Sequence, residues 1–210
     1  MGIPVLILGD SGSGKSASLR NFKPEEIAVF NVASKPLPFR TKLPKVDGVG
    51  YEDIKKALGK AKKKTFAIDD DQYLLVFSAF DRAKEVGYGK FTDFALDFYS
   101  LIRYVIDSTP PDVIVYFLHH AEHTEDGRTK AKTIGKMLDN QLTVEGLFPI
   151  VLLCRTDGTR HWFETQSDGW TTAKSPIDMF EREMDNDLKA VDTAIRAYWE
   201  LGGKTDGDAK

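Results

Sequence analysis

The sequence predicts an α/β fold, a mainly parallel, twisted sheet flanked by helices, with an antiparallel hairpin toward the C-terminus. Three observations predict it. Short apolar runs at residues 3–8, 27–32, 65–68, 113–118 and 149–155 read as buried strands. Between them, residues 51–63 and 91–105 carry apolar side chains three and four apart, the spacing of a helix with one buried face. Asp157-Gly158, set between the last apolar run and the alternating His161-Trp162-Phe163-Glu164-Thr165, marks a tight hairpin turn.

Composition bounds the chain. Its 210 residues can bury one substantial core, so residues 1–201 are expected to form one domain and residues 202–210 a disordered tail. Hydrophobic content of 41% with 29% charged residues is ordinary for a soluble globular protein. A net charge of −3 gives no overall attraction to nucleic acid, so such binding would need a local basic patch. No apolar run approaches the roughly 18 residues of a membrane span. A strand beginning at residue 3 leaves no room for a targeting segment. Cys154, the only cysteine, excludes an internal disulfide and suits a reducing cytoplasm.

Taken in order, the first strand runs into Gly9-Asp10-Ser11-Gly12-Ser13-Gly14-Lys15-Ser16, and helix-compatible Ala17-Ser18-Leu19-Arg20 follows. Strand, Gly-rich turn and helix start form the context of a phosphate-binding P-loop. Gly12 and Gly14 let consecutive N–H groups converge on one anion. Residues 9–17 are therefore the candidate nucleotide-binding set, with Lys15 toward the β- and γ-phosphates and Ser16 on Mg²⁺. Asn21 and Pro24 stop the first helix, and residues 35–50, with three prolines, read as an irregular connection. The helix at 51–63 has a lysine-rich outer face, the pattern of a solvated surface.

Thr65-Phe66-Ala67-Ile68-Asp69-Asp70 has the form of a Walker B strand. Its carboxyl end would lie beside the P-loop, where Asp69 would hold Mg²⁺ and Asp70 would orient the attacking water. One of Asp70 and Asp71 could instead cap the helix over 72–86. The Phe91–Val105 stripe reads as core. The strand at 113–118 ends in His119-His120-Ala121-Glu122-His123, where His119 or His120 would suit a γ-phosphate sensor. With only His161 elsewhere, no zinc set is evident. Residues 122–136 read as a polar loop, mobile or ordered by a partner, whose Arg128, Lys130, Lys132 and Lys136 could contact nucleic-acid phosphates. A helical stretch through Met137, Leu138, Leu142 and Leu147 leads to the strand at 149–155. A last helix is expected from Pro176, capped by Ser175, on the recurrence of Ile177, Phe180, Met184, Leu188, Val191, Ile195 and Trp199.

The P-loop, the Asn31-Val32 strand end with Lys35-Pro36-Leu37-Pro38-Phe39, Phe66-Ala67-Ile68-Asp69-Asp70 and His119-His120-Ala121-Glu122 together resemble bacteriophage-encoded, RecA-like single-domain P-loop ATPases, among them the Sak-type single-strand annealing ATPases and phage nucleotide-binding proteins. The resemblance covers roughly residues 1–176 and is sharpest at the Walker A motif. It implies a RecA-like core, ATP and Mg²⁺ as ligands, single-stranded DNA as polymer partner, and assembly into a homo-oligomeric ring or filament. It also implies a phage recombination or single-strand-binding partner in the host cytoplasm. His119 or His120 would match the strand-end sensor and residues 122–136 the DNA-contacting loop. Lys174 resembles a lysine that reaches a neighbouring subunit's nucleotide. The chain departs from the pattern at Asn31-Val32-Ala33-Ser34, which offers no early-strand glutamate, so Asp70 would substitute or hydrolysis would be slow. Beside the ATPase reading stand a nucleotide-dependent scaffold or switch with little turnover and a small-molecule kinase, the last disfavoured by scattered arginines.

Overall fold

In the computed structural model, which describes residues 1–60, 62–87, 89–134, 138 and 142–202, the apolar runs gather into one mixed sheet. Its strands are β1 (Ile3–Gly9), β2 (Ile27–Asn31), β3 (Lys45–Asp47), β4 (Thr65–Asp69), β5 (Ile114–His123), β6 (Thr129–Ala131), β7 (Ile150–Thr156), β8 (His161–Glu164) and β9 (Glu183–Asp185). They lie in the order β3-β2-β4-β5-β1-β7-β8-β9, with β6 paired to the far end of β5. The run from β3 to β7 is parallel; β8 and β9 add an antiparallel edge. The architecture is thus α/β with a mostly parallel sheet, compatible with a P-loop-like fold. Among the described residues no helix is long and apolar enough to cross a membrane.

Strand parity divides the core into two layers. Leu6, Leu8, Val115 and Phe117 point to the face covered by α1 (Tyr51–Lys60), α2 (Gln72–Asp81) and α3 (Gly89–Ser108). Val5, Ile7, Tyr116 and Leu118 point to the opposite face, covered by α4 (Leu188–Tyr198) and the short 3-10 helix Ser16–Asn21. The Phe94–Val105 stripe of α3 is buried as its spacing predicts. Each large apolar side chain buried there contributes roughly 1.5–3 kcal/mol before conformational entropy is charged against it.

Three local expectations are corrected. Residues 35–50 are not wholly irregular, because Lys45–Asp47 pairs with β2 as an exposed edge strand. The described part of the expected loop 122–136, residues 122–134, is not a free loop. Ala121, Glu122 and His123 pair antiparallel with Ala131, Lys130 and Thr129, and Ala131 N–H donates to Glu145 at 2.7 Å. The ribbon buries Thr129 and Ala131 although the stretch has almost no large apolar residues. Lys136 and Met137 lie outside the described residues, as do residues 203–210 of the expected tail. The third correction is the C-terminal helix, which does not begin at Pro176. Asp178 takes a left-handed φ of 59°, and residues 183–185 pair with β8 instead. The Ser175 hydroxyl donates to Thr165 O rather than capping a helix. The helix starts at Leu188, where the Asp187 carboxylate accepts from the N–H groups of Lys189 and Ala190.

Candidate nucleotide-binding site

The P-loop leaves the carboxyl end of β1, between β5 and β7, and turns over the sheet edge. Gly14 sits at φ +105°, and a Cβ there would come within 3.0 Å of His161 Nδ1 and 3.2 Å of Asn186 Nδ2, so conformation and crowding both demand glycine. The loop is braced from behind. Ser13 O accepts from His161 Nδ1 at 2.8 Å and from the Cys154 thiol at 3.0 Å. Asn186 Nδ2 lies 3.2 Å from Cys154 Sγ, and Arg20 donates to Asn186 O at 2.5 Å. Burial pushes the Cys154 thiol up to about 11, which keeps it protonated. The segment after the loop is a 3-10 helix of six residues, and the Ser18 hydroxyl draws Lys15 O into a side-chain hydrogen bond of 2.5 Å.

Of the nine loop candidates, Ser11, Gly12, Gly14, Lys15, Ser16 and Ala17 line a cleft of about 350 Å³, together with Lys35, Pro36, Pro38, Asp69, Asp70, His120 and His161. Gly9, Asp10 and Ser13 are not in this lining. Ser13 Oγ fills the space that a Gly9 side chain would need, and Asp10 reaches sideways to His123 Nε2 at 3.1 Å. Lys15 is nearly buried and donates to Gly9 O at 2.7 Å and Asp10 O at 2.8 Å. Burial holds its ammonium below the usual lysine range, against the pull of Asp70, Asp10 and Asp69.

The two metal candidates meet across the cleft. Ser16 Oγ donates to Asp69 Oδ1 at 2.6 Å across a sequence separation of 53. Burial raises the Asp69 pKa, opposed by the Ser16 hydrogen bond and by Lys15. A hydroxyl and a desolvated carboxylate are hard oxygen donors, and they fit a Mg²⁺ ion that keeps several waters and phosphate oxygens. Asp70 follows at φ +60°, a conformation that an Asp tolerates but few other side chains do. It receives Lys35 Nζ at 2.8 Å on one oxygen and faces His120 Nε2 at 3.3 Å with the other. Burial alone would raise this carboxyl, but the His120 and Lys35 hydrogen bonds win and bring it to about 2. Tyr73 closes the cluster, its ring 4.6 Å from Lys35 Nζ and edge-on to His120.

The two sensor candidates separate by parity. His120 lines the cleft, whereas His119 points to the opposite face, fully buried beside Phe98. His119 Nδ1 lies 2.9 Å from Asp71 and Nε2 lies 2.8 Å from Lys132 O. A catalytic place for His119 is therefore corrected to a structural one. Asp71 occupies the N-cap position of α2, but its carboxylate serves His119 and caps nothing. Lys174 pairs through its backbone with Val151 and does not line the cleft of its own chain. Arg128 and Lys130 lie on the ribbon, paired with Asp126 at 3.3 Å and Glu122 at 2.9 Å, and Lys132 continues it, exposed. The ribbon reaches the P-loop through His123, whose Nδ1 lies 3.1 Å from the Thr129 hydroxyl while Nε2 holds Asp10.

Lys35, Tyr73, His161 and Asn186 are site residues that sequence reasoning did not assign. Lys35 carried a signal, standing just after a strand that ends at the ligand edge. His161 and Asn186 carried none, because only the sheet order brings β8 and β9 behind the P-loop. No protein-family model and no curated protein matches the chain, so the reading of the site rests on its geometry.

Proposed function

We propose that this chain is an ATP-binding P-loop protein of RecA-like architecture that hydrolyses ATP with Mg²⁺ and acts with single-stranded DNA in phage recombination or replication. The observation that carries the nucleotide part is the Ser16–Asp69 hydrogen bond of 2.6 Å at the mouth of the P-loop. The strand order supports the architecture: one parallel strand, β5, stands between the loop-bearing β1 and the acidic β4. Ser16 and Asp69 would hold Mg²⁺, which would draw negative charge off the β- and γ-phosphates. Lys15 would exchange the carbonyls of its own loop for phosphate oxygens. Asp70, held by Lys35 and His120, would fix a water for in-line attack on the γ-phosphorus as the bond to the β-phosphate breaks. A carboxylate at about 2 is a weak proton acceptor at neutral pH, so it orients the water more than it deprotonates it.

The same cluster favours a second reading, a nucleotide-dependent switch with little turnover, since Lys35 and His120 already occupy both oxygens of Asp70. The single-stranded DNA partner, ring or filament assembly and a recombination or single-strand-binding partner rest on the resemblance and on Arg128, Lys130 and Lys132 of a ribbon that also carries Glu122, Glu125 and Asp126. ATP turnover by the purified protein, measured alone, with single-stranded DNA and with small phosphoryl acceptors, separates these readings. Stimulation by DNA that disappears in Lys15→Ala is the expected result. Transfer to a small acceptor without DNA would sink the proposal in favour of a kinase, and tight ATP binding without turnover would leave the switch.

A further inference from the structure

Away from the nucleotide cleft, a second cavity of about 310 Å³ opens between the ribbon and the turn before Lys174. Arg128 and Lys130 stand on its ribbon side, Trp170, Thr171 and Thr172 on its turn side, and Glu145 in its wall. Trp170 is the most conspicuous of these. The residue is 59% exposed, yet its turn is hydrogen-bonded throughout: Trp170 N–H donates to Asp168 at 2.8 Å, Gly169 N–H to Ser167 Oγ at 3.0 Å, and Trp170 O accepts from Thr129 N–H at 2.8 Å. A large aromatic side chain exposed to water on an ordered backbone turn is suited to stacking. The second observation is independent. Thr171 is 8% exposed, lines the same cavity, and its hydroxyl has no hydrogen-bond partner among the described residues.

The polarity of the wall says what part of a ligand belongs inside. Glu145 is buried and accepts from Ala131 N–H and the Thr172 hydroxyl. Its negative charge disfavours an anion within the cavity and favours the amino or imino edge of a base. Arg128 and Lys130 line the cavity with Asp126, and each is ion-paired, Lys130 with Glu122 at 2.9 Å. Arg128 makes an exposed pair with Asp126 at 3.3 Å, a contact worth little in water and readily exchanged for a phosphate. We infer that this cavity receives a nucleobase of single-stranded DNA, stacked on Trp170 and hydrogen-bonded by Thr171, with the adjoining phosphate on Arg128 and Lys130. The inference rests on the single-stranded DNA reading above and adds to it the place where a base is bound.

Anisotropy of a fluorescein-labelled oligothymidylate, and of the same oligomer carrying abasic sites, tests it. Trp170→Ala should weaken the intact oligomer by about 5- to 100-fold, the range for one lost stacking contact. Trp170→Phe should restore most of that loss. The abasic oligomer should bind wild type and Trp170→Ala equally, because its phosphates remain and its bases do not. Arg128→Gln with Lys130→Gln should weaken both oligomers alike and flatten the salt dependence. If Trp170→Ala binds the intact oligomer as wild type does while the double variant weakens it, the base pocket is wrong and the DNA reading survives. If wild type binds neither oligomer with or without ATP, or binds only the RNA counterpart, the DNA reading falls and the pocket with it. A misfolded Trp170→Ala, seen in its melting curve, leaves the decision to Trp170→Phe and the abasic oligomer.

Discussion

Lys15 and His119 are both buried basic side chains, and their surroundings give them opposite parts. Lys15 Nζ rests on two carbonyl oxygens of a loop whose other side is an open cleft. Lys15→Ala should therefore cost little stability and reduce affinity for a fluorescent ATP analogue by at least about tenfold, the lower end for a lost charged contact to phosphate. His119 has an acceptor at each ring nitrogen, and only the imidazolium carries two N–H donors. Burial would lower its pKa, but the Asp71 charge and these hydrogen bonds outweigh it, so the folded value lies above the ordinary one. A raised pKa contributes stability that is fully present below about pH 6.5 and is lost as pH rises through the folded value. His119→Asn should cost about 3 kcal/mol in urea unfolding at pH 6, because it strands the Asp71 charge, and the gap to wild type should narrow as pH rises. A gap that widened with pH would show His119 to be neutral in the folded protein.

At the scale of elements, the C-terminal helix owes its start to one side chain. Asp187 receives Lys189 N–H at 2.9 Å and Ala190 N–H at 3.3 Å. Asp187→Ala should cost about 1 kcal/mol and lower the melting temperature by a few degrees, measured by circular dichroism. The sequence places this helix too early for an identifiable reason. Ile177, Phe180 and Met184 keep a three-to-four spacing by coincidence, while Asp178 turns left-handed and Ile177 is exposed. Elements whose signal is local were legible: β1, β4 and α3 from apolar pattern, and the P-loop from fixed residues at fixed intervals. The ribbon was not, since its order comes from Trp170 O and Glu145, contacts far along the chain. Nor was the choice between His119 and His120, because neighbouring strand residues always face opposite ways and the sequence does not say on which face the cleft opens. The candidate cleft was legible where the motif lines it and illegible where the motif is braced. Both ends of the sheet close on three-residue strands rich in charge, Lys-Val-Asp and Glu-Met-Asp, which offer poor templates for a further strand.

Over the whole molecule, the ends of the parallel strands divide the labour. The carboxyl ends carry the P-loop, Asp69, Asp70 and His120, and the amino ends carry a buried anchor. There Asp192 accepts from Thr65 Oγ1 at 3.0 Å, Tyr116 Oη at 3.3 Å and Arg196 Nε at 2.8 Å, tying α4 to β4 and β5. Asp192→Ala should destabilise by about 3 kcal/mol by leaving Arg196 uncompensated, with ATP-analogue affinity at saturating folding conditions unchanged. A loss of affinity in the folded variant would mean that the two ends of the sheet are not independent. The end that carries the cleft is itself joined to the ribbon, through His123 between Asp10 and Thr129. That bridge has a thermodynamic corollary. If phosphate in the loop moves Asp10, and a base beside Thr129 moves His123, each ligand must change the affinity of the other by the same factor. Measured as two separate ratios, ATP on oligonucleotide and oligonucleotide on ATP, the factors should agree, and His123→Ala should bring both toward one.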